Sequence, residues 1–170
     1  MRILIVGGAR SGKSRYAERL ALESGKETVY IATGWAGDEE MSARIARHRE
    51  QRPQAWLTVE EPCALAKALQ THAAVNRCLI VDCLTLWLAN LLEQGDGRFQ
   101  QERGALLDTL PSLPGTLCLV SNEVGLGIVP INPLARRFVD EAGWLHQDLA
   151  QLCERVVWIA AGLPQILKET

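Results

Sequence analysis

The chain reads as an α/β protein, with a mostly parallel sheet flanked by helices in three layers. Three observations lead there. Continuously apolar runs such as Ile3–Val6 and Cys78–Val81 have the pattern of strands buried on both faces, not the alternation of half-buried ones. Between such runs lie segments with apolar residues at helical spacing, so strands alternate with helices and imply βαβ units. The first run is followed at once by Gly7-Gly8-Ala9-Arg10-Ser11-Gly12-Lys13-Ser14, which has the form G-x-x-x-x-G-K-[ST] and leads into a helix-patterned segment from Arg15 to Ser24. Strand, glycine-rich turn and helix in that order make a phosphate-cradling P-loop. The expected fold is therefore P-loop NTPase-like, with residues 1–170 forming a single nucleotide-binding catalytic domain.

The residue types in the loop follow from its chemistry. Gly7 and Gly12 let the backbone turn where a side chain would clash, so that successive N–H groups converge on phosphate oxygens. These donors open a helix, whose dipole favours negative charge at that end. Lys13 can neutralise the β and γ phosphates, and the Ser14 hydroxyl can ligate Mg²⁺.

Composition narrows the class without naming an activity. A length of 170 residues suffices for a sizeable core, and 48% hydrophobic with 22% charged residues is ordinary for a soluble globular chain. A net charge of −2 gives no electrostatic reason to expect nucleic acid as a partner. No apolar run reaches bilayer-spanning length, and a strand followed by a P-loop is not a signal or transit sequence. The five cysteines are scattered without a C-x-x-C pair, an arrangement that argues against a disulfide framework or zinc site. Reduced thiols in a cytoplasmic protein are the expectation.

The remaining elements follow in order. Gly25 stops the first helix, and Thr28–Ala32 is a second strand ending at Thr33-Gly34. Parallel pairing with the first strand would put Thr33 and Gly34 at the carboxyl edge that holds the P-loop, where open α/β sheets bind ligands. Asp38-Glu39-Glu40 opens a helix through Met41, Ile45 and His48 that ends at Pro53. Trp56–Glu60 alternates as a strand, Ala64–Thr71 is helical, and Cys78–Asp82 is a buried strand ending in a carboxylate. Leu84–Leu92 is an apolar helix closed by a turn at Gly95-Asp96-Gly97, and a more polar helix spans Phe99–Leu110. After the strand Gly115–Ser121 comes a loop from Asn122 to Pro130. Asn132 caps a helix with Pro133 at its first position, and Leu134, Phe138, Ala142, Leu145, Leu149 and Leu152 share one face. Val156–Ala160 is the last expected strand.

Several residues stand out chemically. Asp82, at the end of a buried strand downstream of a P-loop, occupies the place of a Mg²⁺-holding carboxylate; a cap on the next turn is the alternative. His48 shares a helical stripe with Met41 and Ile45, as a structural histidine would. Arg44, Arg47, Arg49 and Arg52 surround it, however, and would suit a phosphate-binding patch that keeps the imidazole neutral and nucleophilic. The residues alone leave both roles open. The Asn122–Pro130 loop is either a ligand loop or a glycine-hinged connection with Glu123 exposed. His72 and His146 lack acidic or cysteine partners at ligand spacing and read as structural, and Arg136 and Arg137 read as ordinary helix-surface charges.

Taken together, these motifs resemble the bifunctional adenosylcobinamide kinase / adenosylcobinamide-phosphate guanylyltransferases of cobalamin biosynthesis. The likeness spans nearly the whole chain. It rests on Gly7–Ser14, on Tyr30-Ile31-Ala32-Thr33, on Glu40–Ile45 leading to His48 and Arg52-Pro53, on Asn122–Pro130 and on Leu134-Ala135-Arg136. The resemblance implies phosphorylation of adenosylcobinamide by ATP or GTP with Mg²⁺, then transfer of GMP from GTP to adenosylcobinamide phosphate through a guanylylated histidine. It places that histidine at His48. It places nucleotide contacts at the P-loop, at Ala32, Thr33 and Gly34, at Arg49, Glu50, Gln51 and Arg52, and at Glu60 and Asp82. Some relatives carry Glu where this chain has Asp82, and some have a histidine where it has Arg47. The resemblance also implies a homotrimer. Two other readings of the P-loop are a small-molecule kinase without guanylyl transfer and a nucleotide-gated binding module.

Overall fold

A computed structural model describes residues 1–34 and 53–170. The elements are β1 (Arg2–Gly7), α1 (Lys13–Glu23), β2 (Glu27–Ala32), β3 (Leu57–Glu60), α2 (Leu65–His72), β4 (Arg77–Asp82), α3 (Leu84–Glu93), α4 (Asp96–Thr109), β5 (Thr116–Asn122), α5 (Pro133–Leu152), β6 (Arg155–Ala160) and β7 (Leu163–Glu169). The helix expected from Asp38 to Pro53, with His48 and its arginines, lies outside the described residues apart from Pro53.

The strands form one seven-stranded sheet in the order β3-β2-β4-β5-β1-β6-β7. Each pairing from β3 to β6 is parallel, and β7 runs antiparallel to β6. Because side chains alternate across a strand, the apolar runs supply two cores. Leu4, Val6, Val29, Ile31, Leu79, Val81, Leu117 and Leu119 face the layer that contains Leu69, Leu88, Leu106 and Leu145 from α2 to α5. Ile3, Ile5, Tyr30, Ile80, Cys118 and Val120 face Tyr16, Ala17 and Ala21 of α1. The mostly parallel α/β arrangement expected from the alternation of elements is thus present. All five cysteines are buried and free.

Four expectations change. β2 pairs with β3 and β4 and not with β1, because β4 and β5 are inserted between β2 and β1. Parallel direction is preserved, so Thr33 still follows the same sheet edge as the P-loop. The Gly95-Asp96-Gly97 turn is confined to Gly95, with φ +91°; Asp96 and Gly97 open α4, where an acid suits the helix dipole. Leu134 is exposed at the start of α5, and the apolar face is buried only from Ala142 onward, at Ala142, Leu145 and Leu149. Finally, β6 is not the last strand: β7 completes a hairpin. Its Pro164 and mostly exposed side chains mask a strand pattern, and an edge strand is where proline is tolerated.

Candidate nucleotide site

The register brings the chemistry to one edge. Gly7 is level with Asn122 of β5 and Ile159 of β6, while Ala32 is level with both Asp82 and Glu60. Residues far apart in sequence therefore end their strands along a single rim, as parallel sheets require.

At that rim, the P-loop is built as its residue types predict. A Cβ on Gly7 would lie 2.3 Å from the Ile159 carbonyl oxygen, so only glycine lets the backbone pass. Gly12 caps α1 in the left-handed region with φ +100°, and Arg10 also has positive φ, which turns the loop without help from glycine. Ser11 N–H donates to the Gly8 carbonyl at 3.3 Å, and Tyr16 N–H donates to that of Gly12 at 3.0 Å, starting the helix. Lys13 is only 6% exposed, and its Nζ donates to the Gly8 carbonyl at 2.6 Å, which ties the ammonium to the loop's own backbone. The Ser11 hydroxyl is buried and has no hydrogen-bond partner among the described residues. An orphaned polar group in a phosphate-shaped loop fits a ligand that supplies the missing partner. Ala9 and Arg10 are exposed at the loop's tip, and Ser14 is half-buried in the first turn of α1.

Across the rim, Asp82 is half-buried, and its Oδ2 accepts the Tyr30 hydroxyl proton at 2.5 Å. Thr33 is fully buried. Its hydroxyl donates to the Cys83 carbonyl at 2.7 Å and accepts from Cys83 N–H at 2.9 Å. Thr33 thus fixes the chain beside Asp82 with its side chain instead of offering that side chain to solvent. Asn90 of α3 donates to the carbonyls of Thr33 (2.8 Å) and Pro62 (3.0 Å), securing the strand ends of β2 and β3. Ala32 is buried, Gly34 half-buried, and Glu60 exposed at the far strand. His48, Arg49, Glu50, Gln51 and Arg52 lie outside the described residues.

The β5–α5 connection adds groups that the spacing of residues does not reveal. Glu123 N–H donates to the Gly7 carbonyl at 2.9 Å, fastening this loop to the base of the P-loop. Glu123 is half-buried, not exposed as the connection reading has it, and His146, which lacks an acidic partner at ligand spacing in sequence, gains one in space: His146 Nδ1 lies 4.0 Å from Glu123 Oε2, while Nε2 shares a 2.7 Å hydrogen bond with the buried Ser121 hydroxyl. Burial holds the His146 imidazole below its ordinary pKa, with Glu123 opposing. Arg136 is more than a surface charge, since its guanidinium donates to the carbonyls of Pro130 (3.0 Å) and Ile131 (2.5 Å) and anchors the loop's end. Arg137 pairs with Asp96 at 2.7 Å, joining α5 to α4. The available signal was the helical position of His146, next to the core residue Leu145 and four after Ala142.

The donor set can be tested against a divalent metal. The Ser14 hydroxyl and Asp82 carboxylate are hard oxygen ligands, and no group of three or more His, Cys, Asp or Glu among the described residues could form a metal cage. Such a sparse set fits Mg²⁺, which takes one or two protein ligands and completes its shell with phosphate oxygens and water.

A parallel sheet with a P-loop at one strand's carboxyl end, and an acid on the same rim, defines a nucleotide-binding protein of the P-loop NTPase class. Solved structures agree on the fold. The RadB recombinase superposes with a TM-score of 0.54 at 17% identity, covering 92% of this chain and 73% of that one. The flagellar accessory protein FlaH from Methanocaldococcus jannaschii does so with 0.53 at 14% identity, covering 99% and 78%. The particular family is fixed by sequence: the family model described as cobinamide kinase / cobinamide phosphate guanyltransferase matches residues 3–167, and the chain belongs to that family. It is similar to the bifunctional adenosylcobalamin biosynthesis protein CobP of Pseudomonas aeruginosa, 62% identical over 99% of this chain and 98% of that one. The corresponding CobU protein of Escherichia coli is 38% identical over 96% and 97%. The chain is accordingly a bifunctional kinase and nucleotidyltransferase of cobalamin biosynthesis.

Proposed function

We propose that this chain phosphorylates the aminopropanol hydroxyl of adenosylcobinamide with ATP or GTP, and then transfers GMP from GTP through a guanylylated His48 to adenosylcobinamide phosphate. The products of the second step are pyrophosphate and adenosylcobinamide-GDP. The observation that carries the reading is the P-loop, with a buried Lys13 and an orphaned Ser11 hydroxyl, on the same rim as Asp82.

In the kinase step the hydroxyl oxygen attacks the γ phosphorus, and the bond to the β,γ-bridging oxygen breaks with the nucleoside diphosphate as leaving group. Little covalent work falls to the protein, so catalysis is positioning and charge stabilisation. The P-loop N–H groups and Lys13 hold the phosphates, and Ser14 and Asp82 would hold Mg²⁺, which supplies Lewis-acid stabilisation of the developing charge. In the nucleotidyl step an imidazole nitrogen of His48 attacks the α phosphorus and pyrophosphate leaves. A phosphate oxygen of the second substrate then displaces the histidine, regenerating it. Arg49, Glu50, Gln51 and Arg52, with Ala32, Thr33, Gly34 and Glu60, complete the nucleotide contacts in this reading.

The corrinoid is assigned in part to the Asn122–Pro130 loop. Its exposed Leu126, Ile128 and Val129 continue into exposed Ile131 and Leu134, an apolar stretch next to the rim, and contiguous apolar surface of this kind marks a binding site. A single catalytic domain, a cytoplasmic location, a homotrimeric assembly and no nucleic-acid partner belong to the same reading. No helix among the described residues is long and apolar enough to cross a membrane.

The deciding experiment is incubation with α-labelled GTP. Acid-labile, base-stable label on the wild-type protein and none on His48→Ala is the expected result. Equal labelling of both would refute the covalent role of His48, and kinase activity without any label would leave a simple P-loop kinase.

A further inference from the structure

The kinase step releases a proton from the attacking hydroxyl, and the residues assigned so far do not receive it. Lys13 is a cation, and Asp82 already accepts the Tyr30 hydroxyl and faces a metal in this reading. Glu60 ends β3, separated from the P-loop strand β1 by β2, β4 and β5. Glu123 is differently placed. It directly follows β5, the strand between β1 with its P-loop and β4 with Asp82. Its backbone is tied to Gly7 at 2.9 Å, so the residue sits at the base of the phosphate loop. Its side chain keeps 21% exposure, enough for a substrate to reach it.

The carboxylate is also held in place. Oε1 accepts Gly125 N–H at 2.5 Å, which fixes one oxygen on the loop side. Oε2 lies 4.0 Å from His146 Nδ1, and no lysine or arginine among the described residues pairs with Glu123. The His146 ring is itself secured through Nε2 to Ser121. One oxygen of the carboxylate is thus anchored, while the other faces a half-buried ring and not a permanent cation.

We propose that Glu123 is a catalytic residue of the kinase half-reaction, accepting the proton of the substrate hydroxyl. This rests on the two-step reading above. As the oxygen–γ-phosphorus bond forms and the nucleoside diphosphate departs with the bridging electron pair, the hydroxyl proton passes to the Glu123 carboxylate and from there to water. The guanylyl step has no such requirement, because a neutral imidazole nitrogen and an ionised phosphate attack without first losing a proton.

The two half-reactions therefore separate the role. Glu123→Gln keeps a carbonyl oxygen able to accept from Gly125 N–H but cannot take up the proton. It is expected to lower kinase kcat by about 10²-fold or more, the usual worth of a positioned general base. Nucleotide Kd and labelling by α-labelled GTP are expected to stay as in the wild type. Glu123→Asp, which keeps a carboxylate on a shorter arm, is expected to recover part of the lost turnover. Wild-type kinase turnover in the Gln variant, parallel loss of kinase and labelling, or a Gln variant at least as active as the Asp variant would each overturn the proposal. Absence of kinase activity in the unaltered protein would overturn the two-step reading and this inference with it, and it would be seen before any substitution is made.

Discussion

His146 is the residue whose surroundings differ most from its expected ones. Ala142, Leu145 and Leu149 carry it against the sheet edge, where burial outweighs Glu123 and keeps its pKa under the ordinary 6.5. A histidine with a depressed folded pKa binds fewer protons in the native state than when unfolded. Its stabilising contribution is full above pH 6.5 and is lost as the pH falls through the folded value. Urea unfolding from about pH 7.5 down to about pH 5 should show a declining free energy, with a shallower decline in His146→Asn. Equal slopes would contradict this. The P-loop was fully legible in sequence because its parts are contiguous and each residue type answers a local demand. The Glu123–His146–Ser121 arrangement was not, since it exists only once α5 folds back over the end of β5.

Among the elements, α5 shows how a short signal fixes a long helix. Asn132 Oδ1 accepts from the N–H groups of Leu134 (2.8 Å) and Ala135 (3.1 Å), and Pro133 stands at the first turn where its missing N–H costs nothing. Asn132→Ala should destabilise the protein by about 1 kcal/mol, read from chemical denaturation. Because Arg136 grips the Pro130 and Ile131 carbonyls one turn later, the same change should also speed proteolysis in the preceding loop. The buried strands were legible as unbroken apolar runs. β7 was hidden because an exposed edge strand has no such run, and α4 began earlier than expected because Gly97 looks like a turn yet is tolerated in a first helical turn.

At the scale of the molecule, strand order was the part sequence could not supply. Nothing in β2 says that β4 and β5 will be placed between it and β1. The common direction of the strands mattered more, because it takes Gly7, Ala32, Asp82 and Asn122 to one rim whatever the order. A ligand that bridges this rim should stabilise the whole fold: nucleotide at 100 times its Kd adds about 2.7 kcal/mol. The expected thermal shift with GTP is larger with Mg²⁺ than without, and Asp82→Asn should remove most of that difference. A Mg²⁺ increment unchanged in the variant would remove Asp82 from the metal's ligands.

The turn of the β6–β7 hairpin touches the P-loop directly: Gly162 N–H donates to the Ser11 carbonyl at 2.8 Å, and Gly162 Cα lies 3.2 Å from where a Cβ on Gly12 would be. The phosphate loop is translated well before the hairpin that supports it, because β2 to α5 lie between them in sequence. A nascent chain thus carries the nucleotide motif without this contact until the hairpin has been made, and nucleotide capture should wait for that point.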